Sequence, residues 1–245
     1  MADAPYEFDR VPLLVQFEEA PGFSETYGFA GSQGMVNLEG QLLKPRGRES
    51  ESVLLFMHPS STLNLMPMPA GMARAGYHVM CCASRYAKND SALIMEKVAL
   101  DMGAYVRFAK EEMGYKDVVL VGWSGGGSLS LFYQSQAENP TITQTPAGDP
   151  VDLTSANLIP VDGTMFVAAH ISRAKTLTEW MDPSVLDETR PDDRVLDLDL
   201  YNPDNPNQPA YEAAFLDRYR AAQIDRNRRI TAWVRNMLDE LGRRS

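Results

Sequence analysis

Val118-Val119-Leu120-Val121-Gly122-Trp123-Ser124-Gly125-Gly126-Gly127 decides how this chain is read. Four branched apolar residues in a row suit a strand buried on both faces of a sheet. Gly122, Ser124 and Gly126 then fall in the spacing G-x-S-x-G, and Gly125–Ala137 reads as the helix that follows. In that strand–turn–helix setting the pentapeptide is a nucleophile elbow, which makes the Ser124 hydroxyl oxygen the candidate nucleophile. Gly122 and Gly126 flank a strained turn, where small residues let strand and helix approach closely. A P-loop is excluded because no Gly-Lys-Ser/Thr follows.

The same grammar extends in both directions. Ser52–Met57 and Tyr77–Ala83 are short continuous apolar runs and read as buried strands. Residues 65–76 read as a helix whose start Pro67 and Pro69 confine and which ends at Gly76. Met95, Val98, Met102, Tyr105, Ala109 and Met113 recur at helical spacing, with Ser91 as the expected cap and Gly114 as the stop. A polar Pro- and Thr-rich loop fills 138–160, and Gly163–His170 reads as one more strand. Alternating strands and helices imply a parallel sheet. Ahead of them Val11–Phe17, Glu25–Ala30 and Met35–Leu43 read as an antiparallel lead-in. Residues 183–209 read as loop, and Tyr211–Leu241 as helix.

Composition sets outer limits. The 245 residues suffice for one α/β domain with an insertion. A net charge of −10 argues against a general nucleic-acid surface. Residues 210–245 run against that balance, with eight Arg against five acidic residues, as a solvated amphipathic helix would. No stretch reaches the roughly 18 apolar residues of a membrane span, and the start lacks a secretory pattern, so a cytoplasmic location is expected. Cys81 and Cys82 are adjacent in a strand, point to opposite faces, and read as reduced packing residues. No cofactor or metal site is expected.

A second landmark, His58-Pro59-Ser60-Ser61, directly follows the strand at Val53–Met57. With the elbow it makes the chain resemble the α/β-hydrolase superfamily, of the serine-nucleophile esterase and lipase kind. The segments Val167–Leu177, Asp182–Val185 and Arg218–Gln223 resemble a poorly characterised bacterial group within it. The resemblance implies a mostly parallel, doubly wound sheet of the α/β-hydrolase type with a helical cap. The core would span 1–175 and the cap or insertion 176–245. It also implies Ser124 as nucleophile, Gly125 N–H as one oxyanion donor, and a second donor from the loop after His58. Proline has no N–H, so Pro59 moves that donor to Ser60 or Ser61, with Ser60 expected. His58 would be structural and His78 packing. Trp123 would line an acyl pocket or pack under the helix.

A serine nucleophile needs a base, and the base an orienting carboxylate. The family order is Ser, acid, His, with the acid after a seventh strand and the His after an eighth. Here only His170 follows Ser124, at the end of the sixth strand, with Asp182 or Asp187 as conceivable partners. No seventh or eighth strand is legible, so the sheet reads as C-terminally incomplete, with an unpaired edge. A truncated product, half of a two-chain enzyme, or a member that covers its edge by oligomerising would each account for this. The expected function is hydrolysis of a small ester or thioester through an acyl-enzyme at Ser124, with elements beyond this chain. The alternative is a catalytically silent binding or assembly protein of the same fold.

Overall fold

The computed structural model describes residues 4–19, 34–91, 93–148 and 151–244. It forms two compact units, Met1–His170 and Ile171–Ser245; the sequence reading placed that boundary between 175 and 176. The expected strand at Glu25–Ala30 lies outside the described residues.

The first unit is built on one six-stranded sheet. Its strands are β1 (Phe8–Glu18), β2 (Met35–Pro45), β3 (Ser52–His58), β4 (Val79–Ala83), β5 (Asp117–Trp123) and β6 (Gly163–Val167). They lie in the order β1-β2-β4-β3-β5-β6. β1 and β2 pair antiparallel along their whole length, Phe8 opposite Pro45 and Glu18 opposite Met35. β2 meets β4 antiparallel, whereas β4, β3, β5 and β6 run parallel. The connecting helices are α1 (Pro67–Arg74), α2 (Met95–Arg107) and α3 (Gly125–Glu138).

Alternation along the central strands makes two cores. Val53, Leu55 and Met57 of β3, with Met80 and Cys82 of β4, face α2 and α3 through Val98, Met102, Tyr105, Leu129 and Tyr133. Phe56, Val79, Cys81 and Val121 face the other way, onto Ala73 of α1. Burying both faces of β3 and β5 is what their unbroken apolar runs dictate. Cys81 and Cys82 therefore belong to different cores, and burial raises both thiols, Cys81 to about 12. They are buried free thiols held neutral.

Two boundaries differ from expectation. Ser91 does not cap α2: its N–H donates to Asn89 Oδ1, and the helix begins at Met95 with Ile94 in the cap position. β6 ends at Val167 because Ala168 takes a positive φ of 45°, which breaks extended backbone before His170. Pro67 does open α1, in its first turn, where its missing N–H leaves no bond unmade.

The second unit contains α4 (Arg173–Glu179), a 3-10 turn at Leu196–Leu198, and α5 (Ala213–Arg244). Ser172 caps α4 by accepting from Lys175 N–H. Gln223 of α5 donates to the carbonyls of Glu179 and Met181, and Arg226 forks onto Glu188 at 2.8 and 2.7 Å. Tyr211, Phe215 and Tyr219 stack in succession, with ring centroids 5.2 and 5.8 Å apart. Among the described residues no helix is long and apolar enough to cross a membrane.

Candidate active site

Placing β5 beside β3 brings the ends of two parallel strands together, the position where open α/β sheets hold their ligands. β3 ends in His58 and β5 in Trp123, with ring centroids 6.0 Å apart. Ser124 follows at once, with φ 53° and ψ −123°, and α3 starts at Gly125. This is the backbone that a type II′ turn reserves for glycine at its first central position. A serine held there is strained by about 1–3 kcal/mol.

The surrounding glycines show why the turn can close. A Cβ on Gly122 would stand 2.5 Å from the Gly127 Cα. One on Gly126 would collide with the Met57 carbonyl oxygen, and one on Gly127 with the Ala169 Cβ. The elbow is thus packed against the end of β3 on one side and the chain leaving β6 on the other. Backbone bonds complete the seat: Ser124 N–H donates to Val167 O at 3.2 Å, and His170 N–H to Ser124 O at 2.9 Å. Ser124 itself is half-buried.

The loop after β3 is equally fixed. Ser84 Oγ donates to Pro59 O at 2.5 Å, and Lys88 N–H to Ser60 O at 2.7 Å. In a trans peptide the N–H points opposite to the C=O. With both carbonyls held, the N–H groups of Ser60 and Ser61 turn the other way, and both donate to His58 Nδ1, at 3.2 and 3.0 Å. The Ser60 N–H expected as an oxyanion donor is thereby engaged by the His58 ring. The ring's other nitrogen, Nε2, lies beside Gly125, 2.9 Å from where a Cβ would be.

The remaining sequence candidates are placed as follows. His78 is buried; its Nε2 meets the Arg48 carbonyl at 2.9 Å and must be the donor there, so Nδ1 accepts from the Tyr115 hydroxyl at 2.7 Å. Trp123 packs partly buried against the smaller core. Asp182 accepts from Ser184 and Arg194, and Asp187 from Thr189 and Arg190, each within its own stretch of the second unit. Hydrogen bonds from Thr189 and then Arg190 hold the Asp187 carboxyl below the usual carboxylate range. Among the described residues no group of three His, Cys, Asp or Glu is gathered to hold a metal ion. A cavity of about 570 Å³ between β1, α2 and the 143–158 loop is lined by none of the elbow residues.

No protein-family model and no curated protein sequence matches the chain. Solved structures similar to it include esterases. A bacterial heroin esterase is 17% identical over 83% of this chain and 61% of its own, with a TM-score of 0.43. Brefeldin A esterase, a bacterial homologue of human hormone-sensitive lipase, is 18% identical over 56% and 38%, with a TM-score of 0.39. An esterase from the archaeon Pyrobaculum calidifontis is 16% identical over 56% and 42%, with a TM-score of 0.38. The chain thus spans between 38% and 61% of the length of these three. Its own strand order, antiparallel β2 beside the parallel run, and serine at the β5–α3 turn give the chain a fold of the α/β-hydrolase type.

Proposed function

We propose that the chain carries the nucleophile of a serine hydrolase acting on small esters or thioesters. The observation that carries this reading is Ser124 itself, a non-glycine residue at φ 53° between a central strand and a helix N-terminus. Backbone strain of this kind persists where surrounding structure enforces it, and function is its usual reason. Ser124 Oγ gives its proton to a base and bonds to the acyl carbon, while the carbonyl electron pair collects on oxygen. Collapse of that intermediate expels the alcohol or thiol, which takes the proton, and water then hydrolyses the acyl-enzyme. Gly125 N–H, first in α3 and without an intrahelical partner, faces the developing oxyanion.

His58 and His78 are unsuited to accept the serine proton, since each already commits its unprotonated nitrogen to donors. His170, tied to the Ser124 carbonyl through its own N–H, is the remaining histidine of the three. A fluorophosphonate probe tests the whole reading: wild type is labelled on Ser124, and Ser124→Ala is not. A folded wild-type protein that takes no label overturns it. His170→Ala then tests the base: lost labelling assigns the proton to His170, and unchanged labelling assigns it elsewhere.

The alternative, a silent binding or assembly protein, takes its support from the sheet edge. Among the described residues β6 pairs with β5 alone and exposes Met165 and Phe166. It predicts a folded protein, no labelling, and association through that edge.

A further inference from the structure

We propose that the C-terminal half of α5 is a self-association surface, pairing antiparallel with the same stretch of a second copy of this chain. Gln223, Asn227, Ile230, Val234, Met237 and Leu241 follow one another at steps of four and three, which lays them in one stripe along the helix. The first two face their own unit. Gln223 Nε2 donates to the Glu179 and Met181 carbonyls, and Asn227 Nδ2 to Thr178 Oγ1 at 2.8 Å. Beyond Asn227 the stripe turns from amide to apolar and from covered to open. Val234, Met237 and Leu241 are exposed, and Trp233 and Leu238 widen the stripe on either side, Trp233 with 64% of its surface in water. Single exposed apolar residues are ordinary on a protein surface, but these share one face of one helix and form a patch.

The stretch fits a second copy in register, charge and direction. A register that sets Ile230 opposite Leu241 also sets Val234 opposite Met237, so two antiparallel copies build successive apolar layers with no polar residue in them. Residues 230–244 carry Arg235, Arg243 and Arg244 against Asp239 and Glu240, so two copies meet with little net charge, and an anionic surface gains little from the same stretch. Direction follows from α4, which already fills the stripe at Gln223 and Asn227 in each copy. Parallel helices would bring both α4 segments into one space, whereas antiparallel helices carry them to opposite ends. The open apolar side chains amount to roughly 1,000 Å² over both copies, near the lower limit of specific interfaces. The dimer is therefore weak and concentration-dependent. It stands apart from the chemistry at Ser124 and from the β6 edge.

Sedimentation equilibrium of the full chain reads this directly. Between about 1 and 100 μM the wild-type mass rises from one chain toward two, as a small interface allows. Val234→Glu with Met237→Glu holds it at one chain, and the thermal midpoint stays because both side chains are already open to water. Leu241→Lys weakens dimerisation by about 10–100-fold, the loss of one buried leucine. Under copper–phenanthroline oxidation a mixture of Ile230→Cys and Leu241→Cys gives the mixed disulfide dimer, and neither variant alone does; Cys81 and Cys82 are buried. Wild type that stays monomeric across that range overturns the proposal. So does a dimer that survives Val234→Glu with Met237→Glu, and its loss in Met165→Lys would then assign it to the β6 edge. Disulfide dimers from either cysteine variant alone overturn the antiparallel arrangement. A monomer that instead sediments with vesicles of phosphatidylcholine and phosphatidylglycerol overturns the second copy and assigns the stripe to a membrane surface.

Discussion

Ser124 holds a backbone that only glycine adopts without strain, and this gives the residue scale its clearest tests. Ser124→Gly abolishes labelling yet raises stability by about 1–3 kcal/mol, read as a higher urea midpoint at unchanged slope. Gly126→Ala sets a methyl against the Met57 carbonyl, which is backbone and cannot step aside. That overpacking lowers stability by about 1–3 kcal/mol. Gly125→Ala differs in kind, since its methyl meets the His58 ring rather than backbone. Its labelling rate falls by about 10²-fold while the thermal midpoint changes less than in Gly126→Ala. The sequence marked the Ser124 turn and its glycines through their spacing between an apolar run and a helical segment, with His58-Pro59-Ser60-Ser61 as a second landmark. It could not announce the His58 ring, whose orientation depends on Ser84 and Lys88, more than twenty residues along the chain.

At the scale of elements, legibility followed burial. β3 and β5 stand out as apolar runs because both their faces are covered. α4 buries no side chain, so it carries no periodicity to read, and its only signal is the Ser172 cap. β6 was read too long, because apolar residues continue past the point where Ala168 turns the chain. The pairing of β5 with β6 has its own clasp. Asp162, just ahead of β6, accepts from Lys110 at 2.7 Å and from Val118 N–H at 2.8 Å. Partial burial raises the Asp162 carboxyl pKa, but the Lys110 ammonium and the Val118 amide outweigh it and hold it below the usual range. A lowered folded value stabilises the fold above the unfolded value of about 3.9 and is lost as pH falls through the folded value. Asp162→Asn therefore flattens the acid limb of stability below about pH 4, measured as urea midpoints across pH 3–6.

Across the first unit as a whole, one buried charge cluster ties three distant stretches together. Arg85, after β4, donates to Asp101 of α2 at 2.9 and 2.7 Å and to Glu19, just past β1, at 2.6 Å. The Arg85 side chain is 3% exposed and that of Asp101 fully buried. Removing one partner of such a pair strands a charge away from water, so Asp101→Ala costs about 3–5 kcal/mol in denaturant unfolding. Arg85 also sits in the segment that carries Ser84 and Lys88, so this cluster anchors the brace behind the His58 loop. The left-handed serine has a bearing on ancestry as well. Were the chemistry at this turn no longer under selection, mutation at codon 124 toward glycine would be favoured by folding alone. A lineage long idle at this turn is therefore expected to carry glycine at this position rather than serine.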